Sequence, residues 1–466
     1  MAESGSATAP STLAKPTTSR PPLHTVLPPL ILGTATFNTQ YVADPHSMPY
    51  RDIVARALTL GVNAFDTSPY YGPSETLLGT ALYALMKPGP STSASSPAPV
   101  PRSSFFLVTK AGRIVLDEFD YSPAWVRYSV LRSLRRLHTP YLDLVYMHDV
   151  EFVSPREVLA AVRELRRLRD EDGVVRYVGI SGFPVDVLCS LAEMVYAETG
   201  EPLDAVLSYG HLTVQNRRLG LPWVEEEEEE GGAGGEGSKE EGSPLARFKK
   251  AGVDVVLNAS MLGMGLLTSR GIPPDPPAPS GDEAGKRASP LAQWHPSPLE
   301  LRVACKKLAE LAAAAGERLE SVAIRWALAE WARLGGAAGL GVNVSTTGIT
   351  EPRKVGATVC GVSSIAELEE TVAEWRGVLS SLGHTLGSTD EAYGSTRQEK
   401  VLNLVRKELW PALGSWLDYA WDSPGAGFVN TRRDCDRGVV PDDGVVAAYE
   451  KARSGGQSSR DTAEAE

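Results

Sequence analysis

Residues 142–181 read LDLVYMHDVEFVSPREVLAAVRELRRLRDEDGVVRYVGIS, an apolar run followed by an amphipathic segment and a second apolar run. The two runs, Leu142–His148 and Val175–Ser181, have the length and the β-branched content of buried strands. Between them, Ser154 is a good cap for a helix over Pro155–Asp172. One apolar stripe runs along that helix and consists of Val158, Leu159, Val162, Leu165 and Leu168. The stretch therefore predicts a strand–helix–strand unit with parallel strands.

The same alternation continues in both directions along the chain. Six further strands are predicted: Leu30–Thr34, Val62–Asp66, Phe105–Lys110, Ala205–Tyr209, Val253–Ala259 and Ala357–Gly361. Eight strands separated by helices are typical of a closed (β/α)8 TIM barrel or of a large open parallel sheet, and the number eight favours the barrel. We therefore expect an α/β protein with its functional residues where the strands end.

The remaining segments predict the domain organisation around a barrel that spans 27–380. Residues 1–26 are rich in Ser, Thr, Ala and Pro, which predicts a flexible tail. Three segments have too few apolar residues to offset the entropy cost of ordering, and they predict disordered insertions: 88–102, 225–243 and 271–297. After the barrel we expect a helical extension over 381–453, interrupted at Pro411, and a disordered tail over 454–466.

Composition and charge exclude several classes of protein. With 42% hydrophobic and 22% charged residues, the chain has the composition of a globular protein with a large core. It has neither an apolar run of about eighteen residues nor a secretory signal, so we expect no membrane partner. Of the net charge of −12, nine carboxylates and one lysine between 225 and 241 contribute −8. The remaining −4 provides no basic face for a nucleic acid.

The four cysteines, at 189, 305, 360 and 435, are widely spaced. This spacing argues against a disulfide framework and against a zinc site, and it predicts free thiols in a reducing compartment. We therefore expect a cytoplasmic protein without a bound metal. The sequence sets no oligomeric state.

Charged side chains close three consecutive predicted strands. Asp66 ends the second strand, Lys110 the third and His148 the fourth, and Tyr71 follows Asp66 by five positions. A nearby lysine ammonium favours the phenolate form of a tyrosine and lowers its pKa, and an aspartate can hold that lysine in place. A histidine can orient the reacting oxygen. The four residues therefore predict general acid–base chemistry on a carbonyl or an alcohol.

Each of these residues also has a structural interpretation. Asp66 could cap the helix that follows, and Lys110 could be a solvated charge at the rim. His148 could be a buried core imidazole, and Tyr71 could pack against Pro73. Charges at the ends of buried strands need partners, so their occurrence on three consecutive strands favours a functional cluster over four independent roles.

The residues around this cluster resemble the aldo-keto reductases. Asp66-Thr67-Ser68-x-x-Tyr71-Gly72-Pro73-Ser74-Glu75-x-x-Leu78-Gly79 is similar to the first signature of that family. Val108-Thr109-Lys110 and the strand ending in His148 are similar to its second and third landmarks, and the resemblance runs from about Gly33 to Trp375 outside the insertions. It implies a nicotinamide-dependent oxidoreductase with a catalytic tetrad of Asp66, Tyr71, Lys110 and His148. Tyr71, rather than Tyr70, has the spacing of the proton-transfer residue.

The same resemblance implies which residues bind the cofactor. Gly179–Gly182 resembles the turn after the fifth strand, where Ser181 bonds the nicotinamide amide and Gly182 replaces the usual Asn. Ser260–Leu267 resembles the pyrophosphate loop, although glycines there could serve only tight turns. The residue that stacks on the nicotinamide ring is Ser208 or Tyr209, and we take Ser208. The full set is Gly33, Ser181, Ser208, Ser260, Leu262, Gly263, Gly265, Gly361, Ser363, Ser364 and Glu367.

The adenosine end of this set favours NAD over NADP. Gly361-Val362-Ser363-Ser364 resembles a loop in which NADP-preferring members carry Arg or Lys after the glycine, where the charge pairs with a 2′-phosphate. Ser363 and Ser364 occupy those places here. Glu367 replaces the common Gln, and its carboxylate would accept from a 2′-hydroxyl and repel a phosphate.

Two further segments narrow the resemblance to a sugar-oxidising branch of the family. His148-Asp149-Val150-Glu151-Phe152 and Gly361–Ser364 resemble the branch of plant L-galactose dehydrogenases and fungal NAD-linked D-arabinose 1-dehydrogenases, and Tyr419–Pro424 favours the fungal type. This implies oxidation of D-arabinose or a related aldose at C1. The alternatives are an NADPH-dependent carbonyl or aldehyde reductase of the same fold and a nicotinamide-sensing regulatory subunit.

Overall fold

Eight parallel strands close into a barrel in this computed structural model, which describes residues 20–87, 98–221, 242–273, 290–344, 352–382 and 391–463. The strands are β1 (Leu30–Gly33), β2 (Ala64–Asp66), β3 (Phe106–Ala111), β4 (Leu142–His148), β5 (Val175–Gly182), β6 (Ala205–Tyr209), β7 (Val255–Ala259) and β8 (Ala357–Gly361). Each strand pairs with its neighbours in the sequence, and β8 pairs with β1 to close the ring. The strands are almost wholly buried, because side chains fill the barrel and helices cover its outside.

The helices that follow the strands cover the outer face of the barrel. They are α1 (Tyr50–Thr59), α2 (Ser74–Met86), α3 (Pro123–Arg136), α4 (Pro155–Asp170), α5 (Val185–Thr199), α6 (Pro244–Lys250), α7 (Pro290–Trp294), α8 (Leu299–Ala314), α9 (Leu319–Ala337) and α10 (Ile365–Ser381). The C-terminal extension adds α11 (Glu391–Leu404), α12 (Trp410–Leu413) and α13 (Val445–Ala463). Within the described ranges, no helix is both long enough and apolar enough to span a membrane.

The predicted (β/α)8 barrel is confirmed. All eight predicted strands are present, and three have the predicted bounds: β4, β6 and β8. Helix α4 begins with a capping box in which Ser154 and Glu157 each accept from the backbone N–H of the other. It ends at Asp170, two residues before the predicted bound. The stretch 142–181 thus forms two adjacent parallel strands joined by a helix.

Residues 20–26, predicted as part of a flexible tail, instead pack against the start of the barrel strands. Leu23 is buried, the Tyr177 hydroxyl donates to Pro21 O at 2.6 Å, and His24 N donates to the Asp254 carboxylate at 3.0 Å. The prediction is wrong here because these anchors come from β5 and from the start of β7, far away in the sequence. The preceding residues, 1–19, lie outside the described part of the chain.

The structure also corrects the bounds of the predicted insertions. Arg102, assigned to the first insertion, donates to Asp143 Oδ2 at 2.6 Å. In the third insertion, 290–297 contain α7 and the buried His295, whose Nε2 lies 3.0 Å from Gly263 O. Composition missed both because the contacting residues are distant in the sequence. The segments 88–97, 222–241 and 274–289 lie outside the described residues.

The C-terminal extension is interrupted where the sequence predicts. A π-helical turn, Val405–Leu409, precedes Pro411, and such a wider turn accommodates the proline ring without a clash four residues back. The predicted disordered tail from 454 is wrong up to Ala463, where α13 ends. The burial of Val445 anchors the start of this helix against the protein.

Candidate active site

A cavity of about 1180 Å³ lies at the C-terminal ends of the barrel strands. Asp66, Lys110 and His148 line it where β2, β3 and β4 end. The same cavity continues past the loops after β7 and β8 to Ser363 and Thr371 at the start of α10. One cavity therefore joins the predicted reacting residues to the predicted adenosine end.

Asp66 and Lys110 form a buried ion pair. Lys110 Nζ lies 2.6 Å from Asp66 Oδ1 and also donates to Thr67 O at 3.0 Å. The side chain of Lys110 is only 2% exposed and that of Asp66 only 5%. Because water cannot solvate either charge, each depends on the other to offset the cost of its burial. Burial raises the pKa of Asp66, and the Lys110 ammonium opposes that rise. The pair fixes the lysine ammonium at the inner wall of the cavity.

The geometry of this wall depends on residues of the first signature that follow Tyr71. Glu75, in the first turn of α2, accepts from Thr109 Oγ1 at 2.8 Å and from Arg136 Nη1 at 3.2 Å. A Cβ at Gly79 would lie 2.0 Å from Arg136 O, so only glycine allows α2 to approach α3 this closely. These contacts lock α2 to β3 and α3, and thereby position the loop that carries Tyr71.

The two adjacent tyrosines have different environments. Tyr70 accepts a hydrogen bond from Gln40 Nε2 at 3.1 Å, and its ring lies 3.9 Å from the Arg113 guanidinium carbon. The Tyr71 hydroxyl has no hydrogen-bond partner in the described part of the chain, and Tyr71 lines the cavity. Lys110 Nζ lies 4.8 Å from the centre of the Tyr71 ring, and the His148 ring meets it edge-on at 5.5 Å. Tyr71 is therefore the tyrosine whose hydroxyl is available to a ligand.

The pKa of Tyr71 differs from the sequence-based expectation. We expected Lys110 to lower it, but burial raises the pKa of Tyr71 well above its ordinary value, and the negative charges of Asp66 and Asp149 raise it further. The expectation is wrong because Lys110 directs its ammonium at Asp66, which neutralises much of its effect on the phenol. In the ligand-free protein Tyr71 is a protonated phenol.

His148 is held as a neutral imidazole. Burial lowers its pKa to about 3, despite the opposing charge of Asp149. His148 Nδ1 lies 3.0 Å from Ser68 Oγ, which also accepts from Tyr70 N at 3.1 Å. With Tyr70 N donating to it, Ser68 Oγ is free to donate its own proton to Nδ1, and in that tautomer the imidazole proton is on Nε2. His148 can therefore donate a hydrogen bond from Nε2 to a reacting oxygen.

Eight of the eleven sequence-predicted cofactor residues line the cavity: Gly33, Ser181, Ser260, Leu262, Gly265, Gly361, Ser363 and Glu367. They come from the ends of β1, β5 and β8 and from the loops after β7 and β8. Ser260 and Met264 adopt left-handed backbone conformations, with φ of 58° and 54°. Strained loops of this kind are found where backbone must approach a ligand.

Three predicted cofactor residues are not part of the cavity wall. Ser208 is buried and faces away from the cavity, and Tyr209 lines it instead, because side chains alternate along β6. Gly263 is buried inside the loop and accepts from His295 Nε2. Ser364 caps α10 through a bond from Glu367 N. None of the three lines the cavity, whereas Tyr209, the alternative to Ser208 at the ring-stacking position, does.

The predicted adenosine end is an exposed, mixed-charge surface. Glu367 is exposed, and its carboxylate accepts from Ser363 N at 2.7 Å, so it also stabilises the start of α10. Arg318 and Arg270 line this end of the cavity as well, and Arg318 pairs with Glu370. The Glu367 carboxylate, predicted to accept from a ribose 2′-hydroxyl, lines this end of the cavity, and two arginines line it as well.

The sequence analysis missed several residues of the cavity wall. Trp421 and Ser423 of the C-terminal extension line it. Trp421 stacks on Phe183 with ring centres 4.8 Å apart, and Glu151 accepts from Ser423 Oγ at 2.9 Å. The motif Tyr419–Pro424 was the only signal of this contact. Asp149 entered the sequence analysis only as part of the segment His148–Phe152, and Arg113 gave no signal beyond its proximity to Lys110.

Comparison with known proteins identifies the family. Residues 29–382 match the model of the aldo/keto reductase family. This chain belongs to that family. It is 35% identical to the D-arabinose 1-dehydrogenase of Saccharomyces cerevisiae (strain ATCC 204508 / S288c) over 384 residues, 82% of this chain and 92% of the yeast protein. It is 30% identical to the L-galactose dehydrogenase of Arabidopsis thaliana over 364 residues, 77% of this chain and 86% of the plant protein.

The resemblance found in the sequence, including its branch, is thus confirmed. Among solved structures, the glycerol dehydrogenase of Gluconobacter oxydans is similar with a TM-score of 0.46 and 21% identity, covering 88% of this chain and 97% of that chain. As an aldo/keto reductase the protein is an oxidoreductase that uses a nicotinamide cofactor. The cavity has the extent that a dinucleotide needs, because it runs from the Asp66–Lys110 pair to the start of α10 and its volume of about 1180 Å³ exceeds the ~300–1,000 Å³ of ordinary small-molecule sites.

Proposed function

We propose that this protein is an NAD-dependent aldose 1-dehydrogenase that oxidises D-arabinose or a related sugar at C1 to the aldonolactone. The observation that carries the proposal is the Tyr71 hydroxyl, unpartnered within the described chain, in a cavity that it shares with His148 and the Lys110–Asp66 pair. The relatives named D-arabinose 1-dehydrogenase and L-galactose dehydrogenase support the substrate class. We further propose a cytoplasmic location, because the four cysteines are free thiols.

In this reaction the chain's own residues handle the proton. Tyr71, as phenolate, takes the proton of the anomeric hydroxyl, and His148 Nε2–H bonds the same oxygen and orients it. Lys110 lies beside the Tyr71 ring, and Asp66 holds the lysine in place. Ser181 and Tyr209 are the residues that would hold the nicotinamide end of a dinucleotide, which would supply the hydride acceptor for C1. A barrel wall that excludes water strengthens each of these interactions.

The choice of NAD is supported by the adenosine end. Glu367 carries a negative charge there, and Ser363 stands in place of a cation that could pair with a 2′-phosphate. A ribose 2′-hydroxyl can donate to the Glu367 carboxylate, whereas a phosphate meets like charge. We therefore expect NAD to be favoured by at least about tenfold, about 1.4 kcal/mol.

A second candidate is an NADPH-dependent reductase of carbonyl compounds. Two observations favour it: the raised pKa of Tyr71 keeps the phenol protonated and ready to donate to a carbonyl, and Arg270 and Arg318 line the adenosine end. Sugar oxidation requires the same tyrosine to lose its proton. We therefore expect oxidation to be fastest at alkaline pH.

The experiment that separates the two is an initial-rate panel followed by cofactor absorbance. D-arabinose, L-galactose, L-fucose and D-glucose are each tested with NAD and with NADP at mildly alkaline pH, and a set of simple aldehydes is tested with NADPH. We expect NAD reduction that depends on the sugar, with D-arabinose or a stereochemically related sugar preferred. If no sugar is oxidised while the aldehydes are reduced rapidly with NADPH, the protein is the reductase.

A further inference from the structure

Asp149, the residue after His148, has an unusual backbone and an unusual environment. Its φ of 59° and ψ of 62° are left-handed, a conformation that residues other than glycine adopt mainly where the surrounding structure imposes it. The residue is 2% exposed and lines the cavity. The fold thus holds a carboxylate beside the reacting residues in a left-handed conformation that Asp and Asn adopt more readily than most other residues.

Only one of the two carboxylate oxygens of Asp149 has a hydrogen-bond partner among the described residues. Oδ2 accepts from Arg113 Nη1 at 2.5 Å, whereas Oδ1, although buried, has no hydrogen-bond partner among the described residues. A buried carboxylate oxygen without a donor is costly, and proteins rarely retain one unless a ligand or water supplies the donor. Asp149 Oδ1 therefore requires a hydrogen-bond donor that the described side chains do not supply.

Arg113, which pairs with Asp149, has a buried hydrogen-bond donor without an acceptor. Its guanidinium is clamped against the Tyr70 ring and donates to Leu116 O at 2.9 Å, but its buried Nε lacks a partner in the described chain. Arg113 also lines the cavity. One unpaired acceptor and one unpaired donor, fixed to each other by an ion pair, match a hydroxyl group, which donates once and accepts twice.

The position of this pair relative to the reacting residues defines which hydroxyl it meets. Asp149 Oδ2 lies 3.6 Å from His148 Nε2, the nitrogen that donates to the reacting oxygen. A reacting oxygen bonded to His148 Nε2 therefore lies close to the Asp149 carboxylate, within reach of a hydroxyl on the neighbouring carbon. In an aldose oxidised at C1, this is the C2 hydroxyl.

We propose that Asp149 and Arg113 bind the hydroxyl next to the reacting carbon, and so select hydroxylated substrates over simple carbonyl compounds. The identity of the substrate as a sugar rests on the proposed function. A substrate that lacks this hydroxyl leaves a buried acceptor and a buried donor unpaired, and sites built in this way discriminate strongly against such analogues.

The test compares substrates that differ only in that hydroxyl. For oxidation the pair is D-arabinose and 2-deoxy-D-ribose, which is D-arabinose without its C2 hydroxyl. For reduction the pair is 2-hydroxypropanal and propanal. We measure kcat/KM for each in the wild type and expect the hydroxylated member of each pair to be preferred by about 10- to 100-fold, the range of one hydrogen bond to a charged group.

Asp149→Asn should then reduce this preference to less than about threefold, because the amide presents a weaker, uncharged acceptor. Asn tolerates a left-handed backbone, so the variant keeps the shape of the site. Asp149 also influences Tyr71, but that effect applies to both members of a pair and cancels in the ratio. The matched control is Asp434→Asn, which removes one carboxylate from a side chain that is 94% exposed and should leave the preference unchanged.

The two substrate pairs separate the proposals. If neither sugar is oxidised but 2-hydroxypropanal is preferred over propanal in an Asp149-dependent way, the role of Asp149 stands and the aldose dehydrogenase does not. If D-arabinose is oxidised but the preference is absent in the wild type or survives in Asp149→Asn, the role of Asp149 is overturned and the function stands. The ratio of kcat/KM between the two members of a pair is measured in the wild type alone. The proposal can therefore be refuted even if Asp149→Asn folds poorly.

Discussion

The two ends of the cavity are built differently. At the reacting end, Asp66 and Lys110 are almost completely buried, and their hydrogen bond joins two strands that are distant in the sequence. At the adenosine end, Glu367 is exposed, and its bonds go to Ser363, four residues earlier. The first is a tertiary arrangement shielded from water, whereas the second is a local helix cap in contact with it.

This difference in solvent exposure determines how strongly each charge interacts with a bound substrate or cofactor. Electrostatic interactions are strong where water is excluded and are weakened by solvent and salt at an exposed surface. Substitutions at the reacting end should therefore change rates by orders of magnitude. Substitutions at the adenosine end should shift a preference by about tenfold.

Replacing Tyr71 tests the buried end directly. Tyr71→Phe removes only the transferable proton, so we expect kcat for sugar oxidation to fall by at least about 10²-fold, within the ~10²–10⁴-fold range of general acid–base catalysis. Dinucleotide binding, measured by fluorescence titration, should stay near the wild-type value. Tyr70→Phe is the matched control and should keep most of the activity, because it loses only the bond from Gln40. A Tyr71→Phe enzyme with half the wild-type rate would contradict the assignment.

The pH dependence of oxidation follows from the raised pKa of Tyr71. Below that pKa, the phenolate fraction rises tenfold per pH unit, so kcat/KM for sugar oxidation should increase steadily from pH 7 to pH 10 without a plateau. His148 should add no inflection in this range, since its pKa is about 3.

Glu151 provides the control for this profile. Burial and the neighbouring Asp149 raise its pKa to about 8, so its titration could mimic a catalytic group. Glu151→Gln removes that titration, and the rise with pH should persist in the variant. A plateau below pH 9 that survives in Glu151→Gln would show that Tyr71 ionises far more readily than its surroundings suggest.

At the exposed end, the combined variant Glu367→Gln with Ser363→Arg should raise the ratio of NADP to NAD efficiency by about tenfold, since it removes a repulsion and adds a phosphate partner. The measurement is kcat/KM for each cofactor with saturating sugar. Glu369→Gln is the control: it removes the same charge from the same helix, but Glu369 pairs with Arg56 outside the cavity. Equal use of both cofactors by the wild type would contradict the charge argument.

The smallest effect is expected for the acidic segment. Replacing 225–242 with a short Gly/Ser linker should leave activity and the free energy of unfolding nearly unchanged, because loop-closure entropy varies slowly with length. Extending the deletion to Ser243 should cost about 1 kcal/mol, since Ser243 Oγ caps α6 by accepting from Ala246 N. Denaturant unfolding of the two deletions measures the difference. Unfolding or inactivation caused by the shorter deletion would mean that the segment has a structural role.

The fold could be predicted because its signals are local. The runs that form β4, β6 and β8 are bounded by turn residues, and the cap at Ser154 is encoded within four residues. The proximity of Asp66, Lys110 and His148 could be predicted because a barrel brings strand ends together whatever the loops do. That inference needed only the order of elements along the chain, whereas the choice of Tyr71 over Tyr70 came from the family resemblance.

What failed depended on tertiary contacts. Ser208 and Tyr209 differ by one position, and in a strand one position reverses the face, so the register could not be settled locally. The pKa of Tyr71 depends on burial and on Asp149, which reaches the site from another strand. Residues 20–26 and 290–297 have the composition of loops, yet they are anchored by partners from distant parts of the sequence.

The transfer of hydride from C1 of a sugar, with Tyr71 accepting the anomeric proton, can be followed with D-arabinose carrying deuterium at C1. The enzyme is incubated with this sugar and NAD at alkaline pH, and the reduced cofactor and the sugar product are analysed by mass spectrometry. We expect one deuterium in each reduced cofactor formed and none in the lactone. Deuterium retained in the sugar product, or reduced cofactor without deuterium, would contradict oxidation at C1.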